Sequence, residues 1–241
     1  MHLHWGAERD TTLSIQPCDN GLIGSQIADD QNTLDDNTYV RIIFAMPKPS
    51  LKDAILEAGL KVMFRTGYHG TSVRDVTAAA GAPQGSFTNH FRSKEVFASE
   101  VLDRYFDTTR GLVAEALDDT SLTPRARLRR YLDIITGRLE ADGYGRGCLI
   151  GDLSLEASAS SEMLRARLAE IFAAWRAPFA ACIRDAQTCR EIASDFAPEE
   201  LADFLLASWQ GAILRMKVDR NPNALERFKT IAFQTVFREL T

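Results

Sequence analysis

A chain of 241 residues, 45% hydrophobic and 25% charged, has an ordinary globular composition and room for one large or two smaller domains. It has no run near the roughly 20 apolar residues that a membrane-spanning helix needs, and its four cysteines, Cys18, Cys148, Cys182 and Cys189, form no CxxC pair, which argues against a disulfide framework or a zinc site. The net charge of −5 speaks against a nucleic-acid partner until it is divided: residues 1–46 hold two basic and seven acidic residues, the remainder 26 of each, and 47–110 nine basic and seven acidic. Phosphates sense charge within a Debye length of about 8 Å, so the local balance decides.

Residues 1–46 are rich in Asp, Asn, Gln and Thr, with too little apolar surface to offset the entropy of ordering them. They lack the basic start and apolar centre of an export signal, which points to a cytoplasmic protein. The expectation is a disordered extension, or sequence upstream of a natural start at Met46. The apolar patch 39–46 is a candidate strand, and His2, His4 and Cys18 are read as chance neighbours, not metal ligands. No metal or cofactor is expected elsewhere. Ser50 then caps a helix over 51–66, with Leu56, Leu60, Met63 and Phe64 on one buried face.

Segment 67–94, GYHGTSVRDVTAAAGAPQGSFTNHFRSK, reads as two short helices around a tight turn. Gly67 ends the preceding helix, Thr71 caps the next, and Val73, Val76 and Ala80 share its inner face. Gly81 supplies a left-handed turn and Pro83 opens the second helix. Phe87 and Phe91, four apart, point inward. Gln84, Ser86, Thr88, Asn89 and His90 then point outward, short polar groups with no acid among them, as a helix entering a major groove requires. Arg74, Arg92 and Lys94 flank them as phosphate contacts, joined by Thr71 and by Tyr68, for which packing is the alternative. Ser93 opens a further helix to about 117 whose apolar face carries Phe97, Val101, Leu102, Tyr105 and Phe106; its length makes it a lever between two domains.

At these residues the chain resembles the TetR (tetracycline-repressor-like) family of transcriptional regulators. The pattern is met by Gly67, Tyr68, Thr71, Ser72, Val73, Arg74, the turn Ala79-Ala80-Gly81, Gly85, Ser86, Phe87, His90, Phe91, Ser93, Lys94 and Glu95. It departs at Thr88 and Asn89, where many members carry a tyrosine or histidine pair, which bears on phosphate contact and base preference. The resemblance implies an all-α protein: a three-helix helix-turn-helix DNA-binding domain over 47–95 and a larger effector-binding and dimerisation domain over 96–241.

Further on, apolar spacing predicts only helices. Thr123 caps and Pro124 opens one to about Ala141, with Leu128, Tyr131, Leu132, Ile135 and Leu139 inward. The glycine-rich turn 143–147 lacks the lysine and hydroxyl of a phosphate loop and reads as a hinge. In CLIGDLSLEAS, Asp152 and Glu156 share one helical face, read as solvated. Ser161 caps a run to about 187 that Pro178 should kink; Cys182 on its stripe is inert core, and Trp175 is core or cavity wall. Two last helices, 198–218 and 222–240, carry the stripes Leu201, Leu205, Trp209, Ala212, Met216 and Phe228, Ile231, Ala232, Thr235, Val236. Gly211 anticipates the close approach of another helix. Helices this apolar suggest a four-helix homodimer interface, and the family resemblance implies the same.

The function implied is a repressor that binds a palindromic double-stranded DNA operator as a dimer, its recognition helices about 34 Å apart, and is released by a small-molecule effector. Gly147-Cys148-Leu149 and the following Leu-Ser-Leu-Glu resemble a subgroup whose effectors include reactive electrophiles and small acids. Cys148 is then the sensing thiol, activated by the Lys217 ammonium, with Asp152, Trp175 and Trp209 as further pocket residues; a small buried cysteine after a turn is the alternative. Two rivals stay open: an adaptor of the same fold that binds protein, and a cysteine-dependent enzyme. The enzyme needs a base near its thiol, yet all four histidines lie at or before His90.

Overall fold

A computed structural model describes residues 50–240. The expectations for 1–46, with the strand at 39–46 and the residues His2, His4 and Cys18, lie outside the described residues. Ser50 takes the Asp53 amide on Oγ at 3.1 Å and caps α1 (Leu51–Gly70). Gly67, at φ 71° and ψ −177°, breaks the helical backbone near its end, a conformation close to exclusive to glycine.

Ser72, not Thr71, caps α2 (Val73–Ala79): its Oγ accepts the Asp75 amide at 3.1 Å and donates to the Asp75 carboxylate at 2.6 Å. The Thr71 hydroxyl donates to the Gly67 carbonyl at 2.6 Å, closing the end of α1, and so is committed one residue too early to cap α2. Gly81 (φ 62°) makes the turn. The next helix, α3 (Gly85–His90), starts two residues after Pro83, whose carbonyl accepts the Ser86 amide at 2.9 Å. Ser93 caps α4 (Lys94–Leu117), which runs through Gly111.

Five helices follow: α5 (Pro124–Ala141), α6 (Leu149–Ala157), α7 (Glu162–Thr188), α8 (Pro198–Asp219) and α9 (Asn223–Gln234). Among the described residues there is no strand, so the architecture is all-α. α4 packs on α1 at one end and on α5 and α7 at the other, while α6 lies against α1, α4 and α7. Arg104 of α4 ties the first pair with contacts to Asp53 at 3.1 Å and Glu57 at 3.5 Å. Pro178 does not end α7; Ala174, whose carbonyl loses its partner to the proline, is exposed, where water can take it.

The C-terminal pair departs from expectation in two ways. α9 stops at Gln234 and does not continue to 240. Arg125 of α5 draws the chain inward by taking the Phe233 carbonyl at 3.2 Å and the Phe237 carbonyl at 2.7 Å, with the Phe237 ring fully buried. The stripe Leu201, Leu205, Trp209, Ala212 and Met216 of α8 is buried within the chain itself. The apolar groups left outside are Phe204, Leu214 and Val218 on α8 and Ile231 on α9. Among the described residues a Cβ at Gly211 would meet nothing within 4 Å, so none of the helices described approaches it there.

Candidate nucleic-acid interface and effector cavity

α3 is held from beneath by three aromatic rings. Phe87, Phe91 and Phe97 pack with centroids 4.9–5.1 Å apart, and all three are buried. On the opposite side Gln84, Thr88, Asn89 and His90 are exposed, and no acid stands among them. Ser86 departs from its expected outward position. It is buried beside Phe87, because a neighbour about 100° round a helix still falls on the flank of the inner face. Arg74 and Arg92 are exposed beside this surface.

Two of the expected phosphate contacts, Tyr68 and Thr71, are withdrawn from the surface, and the third, Lys94, stays partly exposed. Tyr68 and Thr71 are buried. Lys94 is half-buried, its Nζ 4.7 Å from the centre of the Tyr68 ring and donating to the His69 carbonyl at 3.3 Å. Burial pulls the Lys94 pKa down, with Glu156 opposing the shift. Tyr68 thus serves as the apolar seat of a cation, with its hydroxyl raised by the same burial.

Behind this unit, α1, α4, α5, α7 and α8 enclose a cavity of about 200 Å³. Three of the pocket residues expected from sequence, Cys148, Trp175 and Trp209, line it together. The other two, Asp152 and Lys217, do not; they line a neighbouring cavity of about 260 Å³ that shares Cys148 and Gln210 with the first. Lys217 does not activate Cys148: its Nζ is held by both carboxylate oxygens of Asp152, at 2.9 and 3.0 Å. Asp152 is accordingly an ion-pair partner and not a solvated acid. Burial pushes the Cys148 thiol up, against weaker pulls from the Gly151 amide and the Tyr105 hydroxyl, which donates to Sγ at 3.7 Å. The thiol is therefore neutral at ordinary pH, the reverse of a thiolate primed by a lysine.

Other cavity residues carry polar chemistry that the sequence reading treated as packing. Tyr105 and Tyr131 present hydroxyls whose pKa values burial raises strongly. Arg146 pairs with Asp142 and lies 4.7 Å over the Phe64 ring of α1. Gln210 sits beside Trp209 on an otherwise apolar face, and that lone amide is the signal that could have marked it. Glu156, read as solvated, bonds to His69. Two routes thus join the cavity to the DNA-facing unit: Phe64 in its wall, and α6, which runs from Cys148 to Glu156.

Comparison with known proteins gives the same picture. Residues 55–101 match the family model described as bacterial regulatory proteins of the tetR family, and residues 124–232 match the tetracyclin repressor-like C-terminal domain. The chain is 43% identical to the HTH-type transcriptional repressor DhaR of Mycobacterium sp. (strain GP1), over 79% of this chain and 94% of that protein. It is 34% identical to the transcriptional regulator AcuR of Cereibacter sphaeroides, over 73% of this chain and 80% of the relative. A crystal structure of a regulatory protein TetR from Rhodobacter sphaeroides superposes with a TM-score of 0.72 at 34% identity, covering 76% of this chain and 97% of that one.

Proposed function

Since the chain belongs to the TetR family of bacterial regulatory proteins and is a transcriptional regulator, we propose that it is a cytoplasmic repressor that grips a palindromic operator as a homodimer and lets go when a small molecule fills the cavity. Residues 47–95 form the reading head, and 96–241 hold the effector and the dimer interface. The observation that carries this is the exposed, acid-free face of Gln84, Thr88, Asn89 and His90, fixed on three buried phenylalanines. A rigid polar helix face can enter the major groove, and Arg74, Arg92 and Lys94 can hold the phosphates on either side.

Dimerisation through α8 and α9 is supported by what this chain leaves uncovered there. Phe204 and Ile231 edge a groove between the two helices, and the bare Gly211 lets a second backbone approach. Cys148 enters as a cavity wall residue of a Gly-Cys-Leu subgroup, and its neutral thiol favours reversible effector binding over covalent capture. A mobility-shift assay on the duplex upstream of its own gene tests the proposal. The expected result is a complex that survives competition by random DNA; binding no tighter than to random duplex, with the usual steep loss on adding salt, refutes it. A protein-binding adaptor shows no salt-dependent duplex binding at all.

A further inference from the structure

Trp175 Nε1, Trp209 Nε1 and Gln210 Nε2 are buried donors with no hydrogen-bond partner among the described residues, and all three residues line the same cavity. The Trp175 indole is directed toward the Tyr131 hydroxyl, and Gln210 toward the Cys148 thiol, without either closing a hydrogen bond. Trp175 and Trp209 are each less than a twentieth exposed. A buried donor left unpaired bears its desolvation cost with no bond in return, and native proteins tolerate few. Here three of them belong to residues that line one space.

The charged groups of the wall have the same polarity. Arg138 and Arg146, both exposed to solvent, contribute cations, and among the described residues no aspartate or glutamate lines the cavity. Arg146 is already paired with Asp142, whereas Arg138 makes no ion pair among the described residues. The remaining surface combines the hydroxyls of Tyr105, Thr108, Thr109 and Tyr131 and the Cys148 thiol with aromatic and aliphatic groups such as Phe64, Leu112 and Ile213. A dry cavity of about 150 Å³ holds a benzene ring, so about 200 Å³ admits one ring, or a chain of similar bulk, plus a small polar head.

We infer that the cavity receives a small molecule with an acceptor-only head, a carboxylate or a carbonyl, whose oxygens are taken by the Trp175, Trp209 and Gln210 N–H groups while its apolar body lies against Phe64 and Leu112. This rests on the reading of the cavity as the effector site and names the class of effector it takes. A protonated amine is disfavoured, because among the described residues the lining offers it two arginines and no carboxylate.

Titration of the full chain with benzoate, acetophenone and benzylamine tests this, read by calorimetry and by tryptophan fluorescence, since two of the three tryptophans border the cavity. Benzoate or acetophenone should bind at least tenfold more tightly than benzylamine. Benzoate ahead of acetophenone identifies a carboxylate head, and the reverse a carbonyl. Trp209→Phe keeps the ring and removes the donor, so affinity for the better probe should fall about tenfold or more. Gln210→Leu should do the same, should the tryptophan variant fold poorly. Equal or tighter binding of benzylamine, no binding of either oxygen-headed probe, or unchanged affinity in a folded variant overturns the inference. Operator binding of the probe-free protein is measured in parallel: operator binding by a chain that takes no probe defeats the ligand class alone, and failure of the probe-free chain to bind operator, though it takes the probes, defeats the repressor reading alone.

Discussion

Glu156 accepts the backbone N–H of His69 on Oε2 at 3.1 Å, while its own carbonyl accepts the Nε2 proton of the His69 ring at 2.9 Å. Two residues 87 apart in sequence thereby pin the C-terminal turn of α6 to the exit of α1, within one contact of Lys94. α6 begins beside Cys148 in the cavity wall, so a ligand that shifts α6 moves the support of the DNA-facing helices. Coupling between two sites needs such an element, whose position both sites bias.

Glu156→Ala should therefore loosen the link without unfolding either partner. A hydrogen bond to a charged acceptor contributes about 1.5–3 kcal/mol, so amide exchange at His69 should speed up about tenfold or more. The ratio of operator affinities with and without a bound cavity ligand should fall toward one. Unchanged exchange at His69 would remove Glu156 from the route.

Gly67→Ala attacks the same junction from the other side. The position has φ 71°, and a Cβ there would overlap the Glu156 carboxylate. Backbone strain of this kind costs about 1–3 kcal/mol. The urea midpoint should drop accordingly, and operator binding should weaken, because the segment leading into α2 is displaced.

Asn89→Ala and Lys94→Ala should separate base reading from general attraction. Asn89 is exposed on the outer face of α3, so its loss should cost about 1–3 kcal/mol at one operator position and relax the preference there. Lys94 is seated on the Tyr68 ring, and its loss should weaken all sequences about equally. A selection experiment with randomised duplexes reads both effects, and an unchanged preference in Asn89→Ala withdraws that residue as a base contact.

Alkaline pH should destabilise the fold. Burial pushes the Cys182 thiol from the ordinary 9.0 up to about 12 and raises Cys148 in the same direction. The folded state favours the neutral thiol, so this stabilisation is complete below about pH 9 and is lost as the pH rises toward 12. Each such group lowers stability by up to about 1.4 kcal/mol per pH unit in that window. Urea midpoints at pH 8 and 10.5 should differ, and Cys182→Ala should reduce the difference.

Phe204→Glu or Ile231→Glu should yield monomers that have lost operator affinity, as judged by sedimentation, with little change in monomer folding. Both side chains are about half exposed in the single chain, so their substitution opens no hole in its core.

Much of this molecule is local, and what is local was legible. The caps Ser50, Ser93, Thr123 and Ser161, the left-handed turn at Gly81 and the paired Phe87 and Phe91 all depend on residues within a few positions of one another, and each took its expected place. The cap of α2 slipped by one residue because two adjacent hydroxyls competed and the Gly67 carbonyl claimed Thr71. What pairs with what across the chain was not legible. Only the tertiary structure gave Lys217 to Asp152 in place of Cys148, ended α9 through Arg125, and brought Trp175, Trp209 and Gln210 together without partners. Periodicity tells which side of a helix faces inward, because burial of apolar surface is non-directional. It cannot tell which polar group another will meet there, because that depends on distances of a few ångströms between residues far apart in the chain.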